Sequence, residues 1–157
     1  VCCVDESKEM LNINREKLKG NTNVKWFCSS AEKLPSPDNN FDYYSISFGL
    51  RNAKNINKSL KEAYRVLKPG GRFLCLEFSK VQNSQLNMFY KNYSKIIPHI
   101  GKIVIGKKEP YEYLINSIEK FYSQEKFFHQ IKKQNFINVS YRNLNGGIVA
   151  IHSAWKV

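Results

Sequence analysis

Short apolar runs alternate with stretches of helical spacing through the first half of the chain, and this alternation restricts the fold more than any other feature. Val1-Cys2-Cys3-Val4 reads as a short buried strand that ends in Asp5. Ser7 can cap a helix whose apolar positions include Met10, Leu11 and Leu18, with Gly20 ending it. Residues 24–28 read as a second strand and residues 29–40 as a loop punctuated by Pro35 and Pro37. Phe41–Ser47 is a third strand, rich in aromatic and β-branched residues. Leu60, Ala63, Tyr64 and Leu67 then have helical spacing, and Lys68-Pro69-Gly70-Gly71 stops that helix before a fourth strand at 72–78. Strand, helix, strand, helix, strand predicts an α/β fold with a mainly parallel sheet and right-handed crossovers.

The second half changes rhythm. Residues 81–121 carry Met88, Phe89, Tyr90, Tyr93, Ile96, Ile97, Tyr111 and Tyr113 and read as two or three helices inserted between strands. Another helix runs from Ser123 to about Gln134. Strands at 136–143 and 148–156 close the chain, joined through Asn145-Gly146-Gly147 as an antiparallel hairpin. A length of 157 residues suits one domain, and an apolar fraction of 42% lets it bury a core.

Composition narrows the functional classes. Cys2, Cys3, Cys28 and Cys75 contain no C-x-x-C pair, so buried reduced thiols are expected rather than a zinc or redox site. No metal-ligand cluster is visible, and no metal is predicted. No run approaches the ~18–20 apolar residues of a membrane span, and residues 1–5 lead straight into polar sequence, unlike a secretory leader. The formal charge of +12 fits an anionic surface or nucleic acid. Its lysines are scattered, however, and the abundance of Lys, Asn and Ile also fits an AT-rich genome. Aromatics in an RNA-binding pattern are not evident.

Four segments carry candidate chemistry. Asp5, at the carboxyl end of a strand in a doubly wound sheet, can accept both hydroxyls of a nucleoside ribose, or simply cap a helix. The loop Ser29-Ser30-Ala31-Glu32 lies on the same edge, where Ser30 can meet an adenine and Ala31 allows close approach; an ordinary surface loop is the alternative. Ser47-Phe48-Gly49-Leu50-Arg51-Asn52 follows the third strand and offers a forked cation and an amide beyond it. The bland reading of that segment is a helix start with an exposed Arg51. Leu67-Lys68-Pro69-Gly70-Gly71 is chiefly a helix stop and turn.

Together these segments resemble the class I S-adenosylmethionine-dependent methyltransferases, and more narrowly the ubiquinone/menaquinone biosynthesis C-methyltransferases. The resemblance rests on SFGLRN at 47–52, RVLKPGGRFLCLEFSK at 65–80, YLINSI at 113–118 and GGIVAIHSAWK at 146–156. It covers essentially the whole chain. It implies a Rossmann-like sheet and methylation of a polyprenyl benzoquinol ring carbon, or the demethylmenaquinol equivalent. It implies that Asp5 holds the ribose of S-adenosylmethionine, that Ser30 and Ala31 lie beside the adenine, and that Ser47 meets the methionine side. Arg51 and Asn52 would face the quinol ring as catalytic residues, and 81–121 would form a lid over the polyprenyl tail. The implied partners are a membrane surface, a multiprotein quinone-biosynthesis assembly and a second copy of the chain, without nucleic acid. The implied location is the matrix side of the mitochondrial inner membrane, or the bacterial cytoplasm at the membrane, with GGRFLCLEFS closer to the eukaryotic branch.

The chain departs from that family in one respect. The family's first strand and its D-x-x-x-G-x-G loop have no counterpart here, so residues 1–157 read as the C-terminal portion of a methyltransferase domain, expected to be inactive alone. Arg51 could stabilise a developing phenolate, but a guanidinium, which stays protonated, makes a poor base. His99 and His152 are alternative bases, though His152 in a strand reads as a packing residue and His129 as a helix-surface one. A nicotinamide oxidoreductase would share the acid after a strand but not SFGLRN. A non-catalytic scaffolding relative that binds membrane or nucleic acid is the other alternative.

Overall fold

The computed structural model describes residues 1–82 and 107–157. Its elements are β1 (Cys2–Asp5), α1 (Lys8–Lys17), β2 (Lys25–Cys28), β3 (Phe41–Ser47), α2 (Ile56–Val66), β4 (Leu67–Phe78), α3 (Glu109–Lys120), α4 (Gln124–Lys132), β5 (Ile137–Leu144) and β6 (Val149–Trp155). Short 3-10 turns occupy Leu50–Asn52 and Asn145–Gly147. The aromatic stripe from Met88 to Ile97, and His99, lie outside the described residues.

Two sheets result. β1 and β2 pair in parallel, and the larger sheet has the order β3-β4-β6-β5. There β3 and β4 are parallel, while β6 runs antiparallel to both β4 and β5. The hairpin at 145–147 therefore forms as expected. Its Gly147 has φ +94° and a space in which a Cβ would meet Gln124 Nε2 at 3.3 Å. The sheet breaks between β1 and β3. Among the described residues each has a strand partner on one side only, and both line a cleft of about 830 Å³.

The core lies on one face of the larger sheet. Phe73 and Cys75 of β4 and Ala154 of β6 pack with Leu60 and Ala63 of α2, Phe127 and Ile131 of α4, and Phe121 and Phe136. Alternation along β4 explains this: Phe73, Cys75 and Glu77 point to the same buried face. Three of the four cysteines are not buried; only Cys75 is, and burial pushes its thiol up. Cys2, Cys3 and Cys28 sit in the short two-stranded sheet, against which α1 packs.

The expected boundary after α2 is also corrected. The helix ends at Val66 and β4 begins at once, so Lys68-Pro69-Gly70-Gly71 is an irregular opening of the strand rather than a loop before it. Phe41 opposes Leu67, yet Tyr43 opposes Arg72, so the extra residues bulge out between these pairs. Gly70 N–H donates to the Lys156 carbonyl and Lys156 N–H to the Gly71 carbonyl, which joins the bulge to the end of β6. A Cβ at Gly71 would stand 2.7 Å from the Lys68 carbonyl oxygen, so only glycine fits there.

Candidate functional site

The cleft runs along the gap between β1 and β3, from Val1 and Phe41 to the carboxyl ends of β1, β2 and β3, where its walls include Asp5, Ser30, Ala31, Ser47 and Asn52. Five of the six side chains singled out in the sequence are thus brought together. Arg51 is not among the cleft-lining residues.

Asp5 stands at the turn from β1 into α1. Its Oδ1 accepts from the Ser7 backbone N–H at 2.8 Å, and Ser7 Oγ in turn caps α1 by accepting from Met10 N–H at 3.2 Å. The cap of α1 is thus Ser7 and not Asp5: one Asp5 oxygen orders the turn, and the exposed carboxylate keeps acceptor capacity toward the cleft. That capacity, beside the small Ala31 and the hydroxyl of Ser30, is a donor and acceptor set that suits a nucleoside.

The loop holding Ser30 and Ala31 is tied down at several points. Glu32 N–H donates to Ser30 Oγ at 3.2 Å, and Glu32 Oε1 accepts from Asn55 N–H, at the start of α2, at 2.8 Å. Farther along, Arg65 of α2 donates to both Glu62 oxygens at 2.7 Å, to Asp38 at 2.7 Å, and to the carbonyls of Ser36 and Leu34. Glu62 Oε2 also accepts from Leu34 N–H at 2.8 Å. The Arg65 guanidinium holds the Glu62 carboxyl below the usual carboxylate range. A depressed carboxyl stabilises the fold fully above the unfolded value, about 4.3, and the stabilisation is lost as pH falls through the native value. Urea unfolding should therefore show this contribution unchanged between pH 5 and 8 and fading below about pH 4. Glu62→Gln should flatten that acid slope; a variant with the wild-type slope would refute the assignment.

Arg51 and Asn52 occupy the 3-10 turn after β3 and face different ways. The Arg51 side chain is 9% exposed and its Nη1 lies 2.9 Å from Oε1 of Glu77, which is 2% exposed. Glu77 Oε2 accepts from the Arg51 backbone N–H at 3.2 Å, and Oε1 also accepts from Phe78 N–H at 2.9 Å. Arg51 Nε donates to Ser117 Oγ on α3 at 3.3 Å, Nη1 donates to the Phe48 carbonyl, and the guanidinium lies 5.2 Å from the centre of the Phe78 ring. The guanidinium is turned to Glu77 because that carboxylate is buried in β4 and needs a cation. The exposed Arg51 of the bland sequence reading is ruled out. Asn52 is exposed toward the cleft, and its Oδ1 accepts from Tyr113 Oη of α3 at 3.0 Å.

Phe48 precedes this turn with φ +54°, a left-handed conformation that costs a bulky residue on the order of 1–3 kcal/mol. The Phe78 ring, 4.8 Å away, and the Arg51 bond to the Phe48 carbonyl hold it there. Lys80 completes the arrangement by donating to the carbonyls of Ile118 and Glu119 at 2.8 and 2.7 Å, which satisfies the last turn of α3. Desolvation lowers the Lys80 pKa.

The roles of Glu77, Tyr113, Ser117 and Lys80 were not read from the sequence. Glu77 had a signal, since it alternates with Phe73 and Cys75 on a core-facing register. His129 and His152 divide as expected. His152 is buried, its Nε2 lies 3.0 Å from the Gln124 carbonyl, and Phe127 packs on it edge-on at 4.8 Å. Burial holds its pKa below the ordinary value, and it packs away from the cleft. His129 is exposed and lies 3.2 Å from Glu125.

With this geometry in place, the similarities are informative. The sequence profile described as the ubiE/COQ5 methyltransferase family matches residues 1–156. A Rickettsia bellii protein named ubiquinone/menaquinone biosynthesis C-methyltransferase UbiE is 56% identical over 157 residues, 98% of this chain and 63% of its own length. The protein of that name from Rickettsia prowazekii is also 56% identical, over the same 98% and 63%. The chain thus spans about 63% of the length of these curated relatives. Among solved structures, a Thermotoga maritima SAM-dependent methyltransferase superposes with a TM-score of 0.70 at 19% identity, covering 99% of this chain and 72% of that one. A Haemonchus contortus N-methyltransferase, solved with S-adenosylhomocysteine, superposes with a TM-score of 0.72 at 16% identity, covering 99% and 43%. These likenesses establish a Rossmann-like methyltransferase fold.

Proposed function

The chain belongs to the ubiE/COQ5 methyltransferase family, and from that premise we propose that its protein methylates a ring carbon of a polyprenyl benzoquinol, or of demethylmenaquinol, with S-adenosylmethionine as methyl donor. The observation that carries this reading is the gathering of Asp5, Ser30, Ala31, Ser47 and Asn52 on one cleft at the carboxyl ends of three strands. A strand from the additional length of the relatives would fit the gap between β1 and β3 and leave the carboxyl-end part of the cleft to the ligand.

When bound, S-adenosylmethionine supplies a methyl group made electrophilic by a sulfonium. Asp5 would hold it through the ribose hydroxyls, Ser30 and Ala31 would border the adenine, and Ser47 would meet the methionine side. Asn52 donates from Nδ2 to a quinol oxygen, which favours the ionised hydroxyl and so raises electron density at the neighbouring ring carbon. Arg51 holds the turn that carries Asn52, and its charge is largely balanced by Glu77. The contribution of these residues would be chiefly to hold the ring carbon in position for transfer.

The polyprenyl tail calls for work at a membrane surface, and the net charge of +12 favours an anionic one. Among the described residues no helix is long and apolar enough to cross a membrane. The setting would be the matrix face of the inner mitochondrial membrane in a eukaryote or the cytoplasmic face in a bacterium. A quinone-biosynthesis assembly or a second copy of the chain would be its partner there.

The test is transfer of labelled methyl from S-adenosylmethionine by the full gene product to short-tailed 2-methoxy-6-polyprenyl-1,4-benzoquinol and to demethylmenaquinol. Label is expected in the extracted quinol of at least one. S-adenosylhomocysteine at 100 times its Kd should add about 2.7 kcal/mol of stability, and NADH none. Label in neither quinol, or protection by NADH alone, would reject the reading.

A further inference from the structure

Asn52 is the amide that the reading above assigns to the quinol oxygen, and the 3-10 turn by itself leaves that side chain free to rotate. An amide free to rotate presents oxygen and nitrogen alternately, whereas stabilising a phenolate needs the nitrogen. The fixed contact comes from α3, where Tyr113 Oη donates to Asn52 Oδ1 at 3.0 Å. With Oδ1 held by Tyr113, the amide no longer exchanges its two ends, and its Nδ2 hydrogens keep one direction.

Tyr113 does not act from a loose element. Ser117 lies four residues along α3, on the same helix face, and its Oγ accepts from Arg51 Nε at 3.3 Å. Two neighbours on that face thus meet two consecutive residues of the turn. The end of α3 is held separately by Lys80, which bonds the carbonyls of Ile118 and Glu119. The Arg51 side of the turn is held in its turn by Glu77. Helix, turn and strand end therefore form one frame around the Asn52 amide, and Tyr113 is the member of it that reaches the amide itself.

We propose that Tyr113 is a positioning residue that orients the Asn52 amide, nitrogen toward the quinol oxygen, so that docking of α3 completes the substrate side of the site. The inference rests on the methyltransferase reading for its catalytic meaning, and on the Tyr113–Asn52 geometry for its structural one.

Tyr113 is 58% exposed, so its hydrogen bond competes with water and its loss should be modest rather than fatal. In the full gene product, Tyr113→Phe should lower kcat roughly 3- to 10-fold, with the KM for S-adenosylmethionine and the Tm unchanged. Added to Asn52→Ala, it should cause no further loss. Asn52→Asp keeps an acceptor for Tyr113 but offers no donor, and should be as slow as Asn52→Ala. A wild-type kcat in Tyr113→Phe, or losses that multiply in the double variant, would overturn the proposal. A second readout does not depend on turnover: the side-chain NH2 resonances of Asn52, identified by their absence in Asn52→Asp. Tyr113→Phe should move them toward the values of a freely rotating amide, and unchanged resonances would overturn the proposal. If the wild-type protein methylates no quinol, the functional reading fails, and the resonances alone decide whether Tyr113 sets Asn52.

Discussion

Asp5→Ala in the full gene product is expected to weaken S-adenosylhomocysteine binding on the order of 100-fold. A carboxylate that accepts two hydroxyls makes two charge-assisted hydrogen bonds, each contributing about 1.5–3 kcal/mol. Asp5 is exposed, so the lower end applies, about 3 kcal/mol together, or a factor near 100. Part of any loss could come through α1, because Asp5 Oδ1 also orders the Ser7 N–H. Asp5→Asn separates the two effects. It keeps an oxygen for Ser7 but loses the charge, so it should bind with an intermediate loss of about tenfold and unfold like the wild type. Calorimetric titration with S-adenosylhomocysteine measures both variants. A change below threefold in Asp5→Ala would remove Asp5 from the cofactor site.

Glu77→Ala should cost about 3–5 kcal/mol of folding stability, the typical loss when one partner of a buried ion pair is removed. Arg51 would keep its position with its main counter-charge gone, at 9% exposure and with Ser117, the Phe48 carbonyl and the Phe78 ring left to its side chain among the described residues. A domain holds about 5–15 kcal/mol in all, so the variant should be marginal at 37 °C. The double variant Arg51→Met with Glu77→Leu tests the cause, because removing both charges removes the desolvation problem. It should recover most of the stability in urea unfolding. It should not recover methyl transfer, because the Phe48 carbonyl and Ser117 lose their donor and the turn that carries Asn52 is no longer held. A loss under 1 kcal/mol in Glu77→Ala, or full activity in the double variant, would contradict this account of the pair.

These two residues illustrate what can be read without a fold. Asp5 was legible because its position, immediately after an apolar run and before a Ser-capped helix, defines a strand end by local pattern alone. Asn52 was legible for the same reason. Glu77 carried a weaker signal, one acid in phase with Phe73 and Cys75, and the identity of its partner was not contained in that phase. Arg51 shows the limit most clearly. Its place in SFGLRN put it at the right strand end, but the direction of a long side chain depends on which charge lies within reach, and that charge is 26 residues away in sequence.

The same division applies to the fold. The strand and helix order and the closing hairpin follow from periodicity, turn residues and family resemblance, all properties of neighbours along the chain. The sequence by itself therefore determined the fold class and the strand ends at which Asp5 and Asn52 stand. Only the tertiary structure decided that SFGLRN, LEFSK and YLINSI form one cluster, in which Arg51 meets Glu77 and Ser117, Asn52 meets Tyr113, and Lys80 closes the end of α3. The physical reason is that charged and polar side chains choose partners by distance and burial in three dimensions, and the segments that supply them lie 26 to 66 residues apart.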